Sequence, residues 1–177
     1  MRLRKIMNRL LITLLSVSAC ALAAENPLSM AVKTQYGMAR GVILRSAEKV
    51  PESDYPFKAT DEVRSFGQLV GHVADAQYGF CSAVLGEKSP MTGSVEKTKT
   101  SKADLVQALK DAFAYCDKAY DGMTDADGAQ MVKFFGRETP KLGVLTFSNM
   151  HDYEHYGNMV TYMRLKKIVP PSSEPKK

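Results

Sequence analysis

This 177-residue chain has only three histidines, His72, His151 and His155, and their placement carries more chemical information than any other feature of the sequence. His151 and His155 are four positions apart, which on an α-helix sets both imidazoles on one face, a turn from each other. That face also holds Val144, Phe147, Ser148, Asn158, Met159 and Tyr162, so the pair lies on a stripe that a helix turns toward a core. His72 stands in a similar stripe, between Leu69 and Ala76. Three imidazoles directed into one interior cost desolvation free energy unless something satisfies them. On these residues alone two readings stay open: hydrogen-bonded core histidines, or three nitrogen ligands for one divalent ion inside a helical bundle. An H-x-x-x-H pair does not by itself decide between them. Three neutral imidazoles would leave a dication with its full charge and an open position, the arrangement of catalytic rather than structural zinc. Such an ion can activate a water or a thiol.

Asp75, three residues after His72, shares nearly the same helix face and is the candidate proton acceptor or ligand-orienting carboxylate. An ordinary helix carboxylate paired with a cation is the alternative. Asn158 and Tyr162 lie beside the histidine stripe and are candidate substrate contacts, with core packing or structural hydrogen bonding as their alternative roles. Gly79, two turns after His72, puts no side chain on that face. The sequence holds no Ser/His/Asp set, no Gly-rich phosphate loop and no C-x-x-C-H haem site.

The elements that must position these residues read as helices. Asn26-Pro27 is a helix start, with Asn as cap and Pro at the first helical position. Leu28, Val32, Tyr36, Ala39, Ile43 and Ala47 then recur at helical spacing up to Val50-Pro51. After a loop over 51–64, Ser65 and Gln68 form a capping-box pattern that opens a second helix, ended by Gly86. A polar connection over 87–100 follows. A third helix begins at Ser101, with Leu105, Leu109, Ala112, Cys116 and Tyr120 as its buried stripe. Residues 121–139 contain the short apolar piece Met131 to Phe135, which periodicity does not assign. Thr139-Pro140 reads as the start of a last helix running to about Ile168, and residues 169–177 read as a free tail. Four long helices and no convincing set of strands make the fold class all-α, a four-helix bundle with long connecting loops.

The N-terminus reads as an export signal. Arg2, Arg4, Lys5 and Arg9 precede a short apolar run, Leu10 to Leu15, and then small residues up to Ala23-Ala24. That order is a secretory signal peptide over 1–23, with the folded domain over 24–177. The run is much shorter than the ~20 residues of a membrane-spanning helix. The protein is therefore expected to be periplasmic or secreted, with a lipoprotein anchored at Cys20 as the alternative. The whole chain carries 24 basic and 19 acidic residues, a net charge of +5. Four of the basic residues and none of the acidic ones lie in 1–23, which leaves 20 against 19 in the remainder. The basic character thus belongs to the signal, and a nucleic-acid partner loses its bulk support. Cys81 and Cys116 would face an oxidising compartment after export. Separately buried thiols are the favoured expectation. A disulfide is possible only if the second and third helices run parallel, which would bring the two positions level.

Three segments carry a resemblance: VRSFGQLVGHVAD (Val63 to Asp75), YGFCSAVLGE (Tyr78 to Glu87) and HDYEHYGNMVTY (His151 to Tyr162). With YPFKAT upstream and IVPPSS downstream, they are similar to the DinB-like superfamily of metalloproteins, across nearly all of the chain after the signal. The resemblance implies a four-helix bundle in which His72 from the second helix and His151 and His155 from the last bind one divalent metal ion, zinc or nickel. It further implies an activity on a small molecule, as a metal-dependent hydrolase or a thiol S-transferase. A non-catalytic metal-binding or stress-related envelope protein is the alternative. A homodimer is compatible with this reading; nucleic acid and a transmembrane segment are not part of it.

Overall fold

The computed structural model describes residues 26–175. The expected signal peptide and Cys20 lie outside the described residues. The four expected long helices are present as α1 (Pro27–Lys49), α2 (Phe66–Leu85), α4 (Lys102–Asp121) and α6 (Lys141–Leu165). Two short helices, α3 (Val95–Thr98) and α5 (Asp125–Gly128), and a hairpin of β1 (Met131–Phe134) and β2 (Arg137–Pro140) lie between them. Among the described residues no helix is long and apolar enough to cross a membrane.

Local chemistry accounts for the helix ends. Ser65 accepts from Gln68 N while the Gln68 side chain accepts from Ser65 N, the reciprocal capping box its sequence implies. Gly86 ends α2 in the left-handed conformation, at φ 70°, which glycine adopts without the Cβ penalty of other residues. Asn26 does not cap its own helix. Its side-chain oxygen accepts from Asp125 N, and the Asp125 carboxylate accepts from Leu28 N and Ser29 N. Two helix N-termini distant in sequence thus cap each other, an exchange that periodicity within one helix does not reveal.

The apolar piece at 131–135 is resolved as the first strand of an antiparallel hairpin, with Phe134 opposite Arg137. The all-α four-helix bundle stands as expected, with this small hairpin in the stretch that periodicity left unassigned. Thr139-Pro140 closes β2 instead of supplying a side-chain cap, and Lys141 N donates to Gln130 O across the hairpin base. Four-residue strands are short enough to be masked by the helical pattern around them.

The core is continuous among the long helices, with Ile43, Val70, Val73, Leu109, Phe113, Leu145 and Met159 essentially inaccessible to solvent. Tyr36 and Tyr120 stack with ring centroids 3.8 Å apart. Their hydroxyls reach Phe113 O and Leu145 O, so neither phenol is buried unsatisfied. Helices α2 and α4 run parallel, with Leu105 near the start of α4 packed against Gly67 near the start of α2. This decides the cysteines. Cys81 and Cys116 are level, their Cα atoms 5.3 Å apart, and they form a disulfide. The favoured expectation of two separate thiols is corrected, because the 87–100 connection returns the chain to the starting end of the bundle.

The expected free tail is in part docked. Pro171 is buried, Ser172 N donates to the Tyr156 hydroxyl, and Lys49 bridges Val169 O and the Glu174 carboxylate. Consecutive prolines have little conformational freedom to lose, so few contacts suffice to hold them.

Candidate metal centre

His72 comes from the middle of α2, and His151 and His155 from successive turns of α6. The three rings meet in the groove between these helices. His151 Nε2 lies 3.2 Å from His72 Nε2 and 3.1 Å from His155 Nε2. The histidines occupy the edge of the buried stripe and not its centre: His155 is buried, while His72 and His151 are partly exposed. Solvent-sized molecules therefore reach the cluster.

Protein groups alone do not satisfy this arrangement. A neutral imidazole nitrogen either donates one proton or accepts through one in-plane lone pair. His151 Nε2 can thus serve only one of its two neighbours, and His151 Nδ1 is buried with no hydrogen-bond partner among the described residues. Nitrogens about 2.0–2.1 Å from one zinc ion at tetrahedral angles stand about 3.3 Å apart. The two spacings to His151 Nε2, 3.2 and 3.1 Å, are close to that value, and all three ligand atoms lie within 4.8 Å of one another. The donor set, three neutral imidazoles, suits zinc, nickel or a similar dication.

The electrostatics favour lone pairs over protons. Burial, reinforced by the neighbouring His155 and His72, lowers the His151 pKa to about 4. Burial, followed by His72 and Arg64, lowers that of His155 also to about 4. The sign for stability follows. Unfolded histidines titrate near 6.5, so between about 6.5 and 4 the unfolded metal-free chain binds more protons than the folded one, and stability falls as the pH falls through that window. The urea midpoint of the metal-free protein is expected to drop between pH 7 and pH 5. A His151→Ala/His155→Ala double variant should lose much less over the same interval. Equal losses would place the acid sensitivity elsewhere.

The surroundings of His72 contain the residue that sequence reasoning missed. Glu96, in α3, places Oε2 3.1 Å from His72 Nδ1 and Oε1 2.9 Å from Arg64 Nε. A carboxylate on Nδ1 fixes the tautomer that directs the Nε2 lone pair toward the other two histidines. The hydrogen-bond partners of Asp75 lie in the 87–100 connection. Its carboxylate accepts from Ser94 Oγ and Val95 N at 2.6 Å and from Glu96 N at 3.2 Å, so it caps α3 from across the groove. Asp75 thus contacts the segment that carries Glu96, the residue that meets His72. Gly71 completes the fit, because a Cβ there would lie 2.6 Å from Glu96 Cα. The available signal was local: Ser94 followed by Glu96 is a cap with an acidic first turn, but only tertiary packing brings it to His72.

Glu96→Ala is expected to weaken metal binding about 10- to 100-fold, and Asp75→Asn or Gly71→Ala to weaken it in the same direction by displacing α3. Competition with a chromogenic chelator measures this. Unchanged affinity in all three variants would leave Glu96 a surface ion-pair partner only.

Asn158 and Tyr162 line the same cleft as His155, in different surroundings. The Asn158 amide stands 3.5 Å from His155 Nδ1. Tyr162 is buried and donates its hydroxyl to Arg64 O at 2.7 Å, anchoring the segment that carries Arg64. A cleft of about 590 Å³ opens beside His155, lined by Lys58, Arg64, Glu154, Asn158 and Tyr162 among others. A second cleft, of about 640 Å³, lies on the other side of Glu96 and touches no histidine. The centre of the α6 buried stripe holds Asp152, whose Oδ1 accepts from Gln77 Nε2 at 2.7 Å. Burial pushes the Asp152 carboxyl well above the usual carboxylate range, which favours the neutral acid.

The comparisons with known proteins agree with this architecture. An uncharacterized protein of Bacillus subtilis (strain 168), YjoA, is 24% identical over 127 residues, covering 71% of this chain and 82% of its own length. The crystal structure of a DinB-like protein from Bacillus cereus ATCC 10987 superposes with a TM-score of 0.70 at 17% identity, over 79% of this chain and 93% of that one. The crystal structure of B. subtilis YjoA, described as DinB-like, superposes with a TM-score of 0.65 at 20% identity, over 82% and 99% of the two chains. The DinB superfamily model matches residues 35–159, a span that contains all three histidines and Glu96. With the family model covering most of the chain and the helical architecture in accord, the protein belongs to the DinB superfamily.

Proposed function

We propose that the protein binds one divalent metal ion, zinc or nickel, through His72, His151 and His155, and uses it to transform a small molecule in the α2–α6 groove. The observation that carries this reading is that the Nε2 atoms of His72 and His155 both lie 3.1–3.2 Å from His151 Nε2, which as a single imidazole nitrogen can satisfy only one of them. An ion held by three neutral ligands supplies Lewis acidity for hydrolysis or for transfer to a thiol. The chain's own residues do the remainder. Glu96 orients His72, Lys58 and Arg64 stand at the cleft among the carboxylates of Asp61, Glu62, Glu96 and Glu154, and the Asn158 amide and the Tyr162 edge shape its wall. Elemental analysis of protein purified from its own host should give one zinc or nickel per chain, with metal-dependent turnover on a panel of esters, amides and thiol adducts. One metal per chain without turnover on the whole panel would favour a non-catalytic envelope metal binder. Absence of metal would overturn the assignment.

Export belongs to the same proposal. It is supported by the order of charged, apolar and small residues in 1–23 and by the Cys81–Cys116 disulfide, which persists in oxidising compartments. Mass spectrometry of the native protein should find an N-terminus near Ala24. An intact Met1 would overturn export, and a lipid on Cys20 would replace a free exported protein with an anchored one.

A further inference from the structure

The groove that holds the histidines ends, on the side away from the polar cleft, in a cluster of phenylalanines. Phe80 of α2 packs its ring edge-on against His151, with centroids 5.2 Å apart. It also meets Phe134 at 5.7 Å, Phe147 at 5.4 Å and Phe135 at 6.4 Å. Three elements contribute: α2, α6 and the hairpin that no helical pattern announces. The cluster is graded in exposure, from Phe80 at 7% through Phe147 at 39% to Phe135 at 74%. An apolar surface therefore runs continuously from solvent to the ring of a proposed metal ligand.

The hairpin tip supplies an independent observation. Phe135 and Gly136 both have positive φ, 47° and 77°, as the two central residues of a type I′ turn require. Glycine meets this without strain, and asparagine or aspartate is the usual partner before it. A bulky aromatic side chain in the left-handed region is strained, and here the ring is mostly in water. Turn stability favours Asn-Gly at this site, so Phe135 stands here against both backbone preference and solvation. A use for the exposed ring is the physical account that fits.

We propose that Phe80, Phe134, Phe135 and Phe147 form an aromatic ledge that binds the ring-bearing or apolar part of a small-molecule ligand whose polar reacting group lies at the three histidines. The inference rests on the metal reading above and names the substrate class it leaves open: an amphiphilic molecule, polar at one end and aromatic at the other. The polar end is matched by the charged cleft beside His155, the aromatic end by the ledge, with the histidines between them. Gly79 lies on the His72 face of α2 next to Phe80, and a Cβ built there would meet nothing within 4 Å. The surface beside Phe80 is accordingly open at that point.

Two metal-chelating probes that differ in their apolar part test this on the zinc-loaded protein: benzohydroxamate and acetohydroxamate, titrated calorimetrically. Wild type is expected to bind the aromatic probe about tenfold or more tightly than the methyl probe, from ring burial and edge contacts. Phe135→Asn should reduce that preference several-fold and leave acetohydroxamate binding unchanged. It should also melt no lower than wild type, since Asn suits the turn. Phe147→Ala should reduce the preference in the same direction. An equal preference in wild type and both variants would overturn the ledge while leaving the metal site intact. So would a dimer that Phe135→Asn converts to a monomer, because the ring would then be a self-association contact. Failure of wild type to retain zinc or bind either probe would remove the metal reading and this one together.

Discussion

His151→Ala is expected to abolish stoichiometric metal binding, with affinity reduced more than about 100-fold, while the helical circular dichroism of the protein is retained. The magnitude exceeds that of a supporting residue, for which about 10- to 100-fold is usual, because a direct ligand is lost. His151 is also the hub of the cluster, the ring whose Nε2 lies within 3.2 Å of both others. His72→Ala and His155→Ala should behave similarly, each leaving two ligands. The fold should survive because the core proper lies among Val73, Leu145, Met159 and their neighbours, while His72 and His151 stand at its edge. In metal-free protein His151→Ala is expected to be neutral or stabilising, since it removes a buried nitrogen that has no partner. Full metal occupancy in any two of the three single variants would end the assignment.

Removing the disulfide is expected to have the largest effect on stability. Cys81 and Cys116 are 35 residues apart in sequence. Closing a loop of that size restricts the unfolded chain by about 4 kcal/mol in the entropic account. The Cys81→Ala/Cys116→Ala variant should lose roughly 3–4 kcal/mol in denaturant titration, which for a domain of this size lowers Tm by roughly 10 °C. Both sulfurs are inaccessible in the core, so part of the loss comes from packing that alanine does not replace. Thiol counting on denatured, unreduced protein should find neither Cys81 nor Cys116 free. Two free thiols, or a variant as stable as wild type, would contradict the bridge. The metal site provides a contrast, because the disulfide joins α2 to α4 whereas the histidines join α2 to α6. Reduced protein that still folds should keep its metal.

The four long helices were legible because each buries a stripe at helical spacing and each is bounded by residues whose backbone preferences are strong: Pro27, the Ser65–Gln68 box, Gly86 and Ser101. The histidine cluster was legible for the same reason, since two residues four apart on one helix share a face wherever that helix packs. Local pattern was silent where one segment satisfies another. Asp125 caps α1, Asp75 caps α3, and Glu96 reaches His72, all across long sequence separations. Asp75 shows the limit most directly: its helix face is the one expected, but its carboxylate is taken up by the N-terminus of a four-residue helix in the 87–100 connection. The hairpin escaped because four-residue strands leave too short a period to read. The cysteine pairing depended on whether α2 and α4 run parallel, a property of the connection's path and not of either helix. The sequence by itself thus determined which residues lie together on each helix, because that follows from the 3.6-residue repeat. Only the tertiary structure decided which faces meet, because apolar burial is non-directional and many pairings of the same stripes bury similar area; the choice among them came from specific contacts, such as the mutual caps, Gly71 against Glu96 and Cys81 against Cys116.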